Sequence, residues 1–268
     1  YGAYPYPRLT VIDVPASAGG AGGMEYPTLI TGGTLGAPLE SGLLEMVVAH
    51  EIGHQWWPMQ TATNEGREPW LDEGLTEYSG MRYLLETGRE LNLGLTLSAP
   101  AYELSSYAVA PQVPSDQPAW SYDTEYAVAA YSKPAVGLLT LERVVGTEHF
   151  RAAMAAYLAE WRYRHPTTAD FRAALEAELG DLSWFFDEFI GGTGVIGYKA
   201  LPIENRPDGT TIRIERTGEV QVPAEALVRF ASGREELVTL DPAKRETVLE
   251  FPAGDPVRAV EVDPEHKL

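Results

Sequence analysis

The residues His50-Glu51-Ile52-Gly53-His54 set two imidazoles four positions apart, with an acid directly after the first. On a helix, positions i and i+4 share a face, so both rings can reach one ion. Zinc suits imidazole nitrogen, at about 2.0–2.1 Å. Glu51 can then reach a water activated by that ion, in the role of general base. A third ligand is available in Trp70-Leu71-Asp72-Glu73-Gly74, where Glu73 falls in a second helical stretch. The expectation is one zinc per chain, held by His50, His54 and Glu73, with water in the fourth position. The competing reading, a pair of surface histidines beside an exposed acid, leaves both the helical setting and the Glu73 segment unexplained.

These residues need two helices. The first begins near Ser41, a candidate N-cap, runs through Val48 and Ile52, and is closed by Pro58. Residues 64–69 form a polar connection. The second helix covers 70–85 and stops at Gly88. Upstream, 9–14 (LTVIDV) and 26–31 (YPTLIT) read as strands around a glycine-rich loop at 16–23. Residues 88–125 hold four prolines and little periodicity, and read as a long loop or a few short helices. From 127 to 191 the pattern is helical again, broken at Gly146, 165–168 and Gly180. A glycine-rich shift at 191–197 (GGTGVIG) precedes short alternating runs at 211–215, 226–230, 236–240, 247–251 and 259–262, the pattern of a small antiparallel β-sandwich. The chain therefore reads as α+β, with a mostly helical domain over 1–195 and a small β domain over 196–268.

Composition narrows the function classes. The 268 residues carry 20 Lys plus Arg against 39 Asp plus Glu, a net charge of -19. Such a chain repels phosphate, which argues against nucleic acid and anionic membrane surfaces as partners. Cysteine is absent, which excludes disulfides, thiolate zinc sites and cysteine nucleophiles. No stretch has the 18 or so apolar residues of a membrane span. The chain opens on Tyr1 and reads as if it began mid-sequence.

HEIGHQWW followed by WLDEG resembles the gluzincin metallopeptidases, specifically the zinc aminopeptidase family of aminopeptidase N and leukotriene hydrolase. Gly22-Gly23-Met24-Glu25 resembles that family's G-x-M-E-N exopeptidase motif, with Tyr26 in place of Asn. Tyr131-Ser132-Lys133-Pro134-Ala135 resembles its Y-x-K-G-A segment, with Pro134 in place of Gly, and Tyr126 matches a further tyrosine. The resemblance covers about residues 1–190. It implies a thermolysin-like zinc peptidase domain, lacking its N-terminal part here, that removes the first residue of peptide substrates. Glu25 would anchor the substrate's free α-amino group, beside the close backbone approach that Gly22 and Gly23 allow. Tyr131 would donate to the tetrahedral oxyanion, and Tyr126 would be a substrate contact. Two alternatives stand beside this reading: a gluzincin endopeptidase, in which Glu25 is idle, and a non-catalytic scaffold that uses the cleft or the β module for binding. Trp56, Trp57 and Trp70 are expected in the core. Asp72 and Glu77 flank Glu73, and Glu77 shares its helix face; a solvated face is the expectation, with support of the ligand as the alternative. His149, His165 and His266 are expected at the surface.

Overall fold

In a computed structural model that describes residues 1–33 and 39–268, the first two apolar runs pair as parallel strands, Thr10–Asp13 (β1) beside Leu29–Gly32 (β2). Met24 bridges Thr31 in the antiparallel sense, so the Gly22–Glu25 stretch runs along the other edge of β2. Leu43–Gly53 (α1) packs on β2. The packing is close: a methyl at Gly32 would sit 3.3 Å from Val48 Cγ2.

The α1 start differs by one residue from the expected cap. Gly42 occupies the cap position with φ +79°, a left-handed conformation that favours glycine, and the Ser41 hydroxyl accepts from the Leu43 amide at 3.2 Å. A side chain at Gly42 would meet the Glu90 carbonyl at 2.8 Å, so the close approach of the backbone at Glu90 selects glycine.

The second ligand-bearing helix is composite. Trp70–Gly74 forms a π-helical turn that continues as the α-helix Leu75–Thr87 (α2), ended by Gly88 in the left-handed region. Segment 88–125 is more ordered than its composition suggests. Glu90–Asn92 (β3) and Thr96–Ser98 (β4) form a hairpin, and Ala99–Val109 (α3) follows, capped by the Ser98 hydroxyl. A second π-helical turn, Val128–Ser132, leads into Lys133–Val145 (α4). Thr147–Trp161 (α5) and Thr168–Leu179 (α6) complete the helical part; α6 opens with a capping box between Thr167 and Asp170.

Residues Tyr1–Leu139 and Thr147–Leu182 form one compact unit. Its core is aromatic. Trp57 stacks on Tyr157, Tyr157 meets Phe171 edge to face, and Phe171 meets Trp70, all fully buried. Trp57 and Trp70 are thus core residues as expected, while Trp56 is only half-buried.

Residues Thr140–Gly146 and Ser183–Leu268 form the second unit. It begins with the π-helical segment Trp184–Ile190. Tyr198–Ala200 (β5), Glu204–Arg206 (β6), Gly209–Arg216 (β7) and Glu246–Pro252 (β10) make one antiparallel sheet, in which β5, β6 and β10 all pair with β7. Ala224–Phe230 (β8), Glu235–Leu240 (β9) and Val257–Val262 (β11) make a second, with β8 central. Strands β7 and β8 alternate buried and half-buried residues along their length. Their inward residues, Ile212 and Ile214 from β7 with Ala226, Val228 and Phe230 from β8, join one apolar core. The five runs read as strands from alternation are all strands. The chain is α+β, and among the described residues no helix is long and apolar enough to cross a membrane.

Candidate metal centre and active site

The close packing of α1 and α2 depends on two glycines. A methyl at Gly53 would lie 3.1 Å from Thr76 Cγ2, and one at Gly80 would lie 3.4 Å from the His50 amide nitrogen. With the helices this near, the inner face of α1 meets the i, i+4 pairs 72/76 and 73/77 of the opposing stretch.

His50, His54 and Glu73 converge. His50 Nε2 lies 3.1 Å from His54 Nε2 and 3.2 Å from Glu73 Oε2, and His54 Nε2 lies 3.3 Å from the same oxygen. Ligand atoms about 2.05 Å from a tetrahedral zinc stand about 3.3 Å apart, so this triangle has the edge a zinc site requires. The other ring nitrogens are held from behind. His50 Nδ1 is 2.7 Å from Glu77 Oε2. His54 Nδ1 is 2.7 Å from the Trp57 carbonyl, with Asp72 Oδ1 at 2.9 Å and the Thr76 hydroxyl at 3.2 Å. Acceptors on both Nδ1 atoms fix the tautomer and leave each Nε2 lone pair facing the triangle, where a cation satisfies three acceptors at once.

This overturns one expectation. Glu77 is not on a solvated face; it is 6% exposed and bound to His50. Asp72 is buried as well. Their i, i+4 relation to Thr76 and Glu73 was visible in the sequence, but the helix that covers that face was not. The surface histidines stand as expected, with His149, His165 and His266 all exposed.

Glu51 is 4% exposed, and its Oε2 has no hydrogen-bond partner among the described residues. A carboxylate oxygen left open beside a triad of donors is suited to accept a proton from a water. Glu25, Glu51 and His54 bring ligand atoms within 4.8 Å of one another, so the glycine-rich segment carries Glu25 to the same centre. Gly23 adopts φ +69°, and a methyl there would sit 3.6 Å from Glu51 Oε1. Gln55 holds this segment: its side-chain oxygen accepts from the Thr28 amide at 2.9 Å and its nitrogen donates to the Tyr26 carbonyl at 3.2 Å. Sequence reasoning passed over Gln55, although it directly follows the second histidine and is fully buried.

Tyr131 stacks on His50, with ring centroids 5.6 Å apart, and its hydroxyl bonds Glu73. Tyr126 meets Tyr131 edge to face at 6.1 Å. Tyr131 and Glu73 both lie on π-helical turns, and these turns pack together where Gly74 faces Pro134. The buried ammonium of Lys133 donates to the Val113 carbonyl at 2.7 Å.

The electrostatics follow from burial of many carboxylates around two imidazoles. Burial alone would lower His50, but Glu73 and Glu77 outweigh it and hold the ring at about 9. Burial likewise opposes protonation of His54, and Asp72 and Glu73 raise it well above the usual histidine range. Glu73, despite burial, is drawn down to about 2 by the two rings. Burial lifts Glu51 to about 7 against the pull of both histidines. Burial, with Glu73 next, raises the Tyr131 phenol, which therefore stays protonated.

Comparisons with known proteins identify the relatives of this chain. The family described as Peptidase family M1 domain matches residues 1–189. Aminopeptidase M1-B of Oryza sativa subsp. japonica is 26% identical over 190 residues, covering 66% of this chain and 22% of that protein. Glutamyl aminopeptidase of Bos taurus is 29% identical over 229 residues, covering 79% of this chain and 23% of that protein. The chain thus spans under a quarter of the length of these relatives. Among solved structures, Legionella pneumophila aminopeptidase A in complex with aspartic acid aligns with a TM-score of 0.60 at 22% identity, over 90% of this chain and 29% of that one. The M1 zinc metallopeptidase from Deinococcus radiodurans aligns with a TM-score of 0.57 at 22% identity, over 72% of this chain and 41% of that one. With the family match covering most of the chain and its two histidine-bearing and acid-bearing helices, the protein belongs to peptidase family M1.

Proposed function

We propose that this protein is a zinc-dependent aminopeptidase. In this reading residues 1–195 are a thermolysin-like catalytic domain and 196–268 a small β-sandwich. The observation that carries the reading is the triangle of His50, His54 and Glu73 donor atoms, 3.1–3.3 Å on a side, with the open carboxylate oxygen of Glu51 beside it. His50, His54 and Glu73 hold one zinc per chain. Bound zinc supplies the positive charge that acidifies a water and polarises the scissile carbonyl. Glu51, lifted by burial to about 7, takes the proton from the attacking water and passes it to the leaving amine. Tyr131 keeps its proton and donates to the developing oxyanion. Glu25 accepts from the substrate's α-ammonium, and Gly23 lets the substrate backbone approach beside it. Tyr126 lines the same wall. The substrates are peptides with a free N-terminus.

The test is metal content of the purified chain together with hydrolysis of aminoacyl arylamides. His54→Ala is expected to strip the metal, because two remaining ligands hold zinc poorly. Equal zinc in wild type and variant by elemental analysis would reject the site. A matched pair of peptides, one N-acetylated and one free, tests the exopeptidase part. The free peptide is expected to be cleaved much faster, and Glu25→Ala is expected to erase that preference while leaving zinc content intact. Equal rates on the pair with the wild type would favour the endopeptidase alternative.

A further inference from the structure

Lys133 is fully buried, and the reading above gives it no work. It opens α4, immediately after the π-helical turn that carries Tyr131. A buried ammonium is costly unless it is bonded, and Lys133 Nζ donates to the Val113 carbonyl at 2.7 Å.

Val113 lies in the stretch 110–118, which is neither helix nor strand. Pro111, Pro114 and Pro118 remove N–H donors from it and bar a regular ladder of backbone bonds. Side chains from outside hold it instead. Next to the Val113 carbonyl, that of Pro114 accepts from the Tyr122 hydroxyl at 2.7 Å. The same hydroxyl accepts from the Gln117 amide at 3.1 Å, so it works as donor and acceptor at once and fixes the Tyr122 ring to the loop.

That ring lies against Tyr126, with centroids 6.2 Å apart, and Tyr126 lies against Tyr131 at 6.1 Å. Tyr126, Tyr131 and Lys133 stand on one continuous stretch of helix. The contacts therefore form a closed circuit. It runs from Lys133 through two adjacent loop carbonyls to Tyr122, through two aromatic pairs to Tyr131, and along the helix back to Lys133. Tyr126 sits inside this circuit, braced by Tyr122 on one side and Tyr131 on the other.

We propose that Lys133 is a positioning residue: by clamping the loop 113–117 it sets Tyr122 behind Tyr126, and so fixes the tyrosine wall against which substrate binds. This deepens the aminopeptidase reading and rests on it, because the substrate roles of Tyr126 and Tyr131 come from there.

Lys133→Met keeps the length of the side chain and removes its N–H donors. Tyr122→Phe keeps the ring and removes the hydroxyl. Both variants of the full chain are compared with wild type in hydrolysis of aminoacyl arylamides, zinc content and amide hydrogen exchange. A group displaced far from the chemistry can cost up to about 10²-fold in rate. Here kcat/KM is expected to fall about tenfold in Lys133→Met and about threefold in Tyr122→Phe, mostly through KM, with zinc content unchanged. Exchange at the Gln117 amide is expected to quicken about tenfold in both, because its acceptor is freed in one and removed in the other. In a Tyr126→Ala background Lys133→Met is expected to add little further loss, because the clamp acts through Tyr126. Should Lys133→Met not fold, Tyr122→Phe decides by the same readouts. The proposal is overturned if either KM or Gln117 exchange stays at the wild-type value in the folded variants. It is also overturned if the Lys133→Met loss is as large in the Tyr126→Ala background as in wild type, the mark of a merely structural role. A wild type that hydrolyses no aminoacyl arylamide overturns the aminopeptidase reading instead, and the exchange measurement then decides the clamp alone.

Discussion

At the scale of single residues, the proposed function gives Glu51 and Glu25 separable work although both carboxylates sit near His54. In that proposal Glu51 is the base. Glu51→Gln preserves shape and removes the basic oxygen, so zinc content is expected to stay while hydrolysis falls by about 10²–10⁴-fold. Activity within about threefold of wild type would refute that role. Gln55 offers a finer test. It touches no donor of the triad and instead pins the backbone at Tyr26 and Thr28, next to Glu25. Gln55→Ala is expected to raise KM for free-amine substrates more than it lowers kcat, and to leave zinc bound. An unchanged KM would detach Gln55 from substrate positioning. The convergence of His50 and His54 was legible from the sequence because a helix turns a four-residue spacing into a shared face. The residues that hold the triad in place were less legible. Asp72 and Glu77 carry the same spacing, but an acid on a helix is ordinarily solvated, and only the packing of α1 over that face makes them buried partners of histidine.

At the scale of elements, the helical pattern over 70–85 was correct in extent and silent about its first turn. The π-helical turn Trp70–Gly74 has no period of its own in a five-residue stretch. It packs against a distant part of the chain: at Gly74, a methyl would approach Pro134 Cγ to 2.6 Å and Cβ to 2.7 Å. The bare glycine thus lets the Glu73 turn nest against the Tyr131 turn. Pro134, which departs from the glycine of the resembling motif, is the residue it nests against. Gly74→Ala forces these turns apart. Overpacking of this kind costs about 1–3 kcal/mol, and the expected result is a lower melting temperature together with weaker zinc binding. A variant equally stable in calorimetry would show that the two turns have slack. The β3–β4 hairpin was missed for a related reason, whereas α3 matches the short-helix alternative offered for 88–125. The hairpin strands are three residues each, too short for alternation to register, and prolines dominated the composition around them. In the second unit β7 to β11, at six to eight residues, were read from their alternation, while β5 and β6, three residues each, were not.

At the scale of the whole molecule, the charge state of the buried cluster couples folding to pH and to metal. His50 is raised from 6.5 to about 9 in the folded metal-free chain. Its stabilisation is fully present below 6.5 and lost as pH rises through 9. One pKa unit corresponds to about 1.4 kcal/mol, so the window holds on the order of 3 kcal/mol. The lowered pKa of Glu73 reports the same ion pairs from the other side and is counted once; it weakens the fold only as pH falls from 4.5 toward about 2. Glu51 and Glu103 are raised by burial to about 7 and about 8, so the folded state binds more protons than the unfolded chain above pH 4.5, and stability falls further as pH rises through those values. His50, Glu51 and Glu103 push the same way between pH 5 and 9. The metal-free chain is therefore expected to melt at progressively lower temperature across that range. Zinc reverses the trend locally, because its ligands must be deprotonated and affinity rises as protons become easier to displace. The gain in melting temperature on adding zinc is expected to be small at pH 5 and large at pH 8–9. The same scan on His54→Ala separates the site from the 39 acidic residues spread over the chain: the variant should show no zinc gain at any pH and a flatter metal-free slope. A zinc gain that is constant from pH 5 to 9 would mean that the histidines are already neutral in the metal-free protein, and that the carboxylates behind them do not hold their protons.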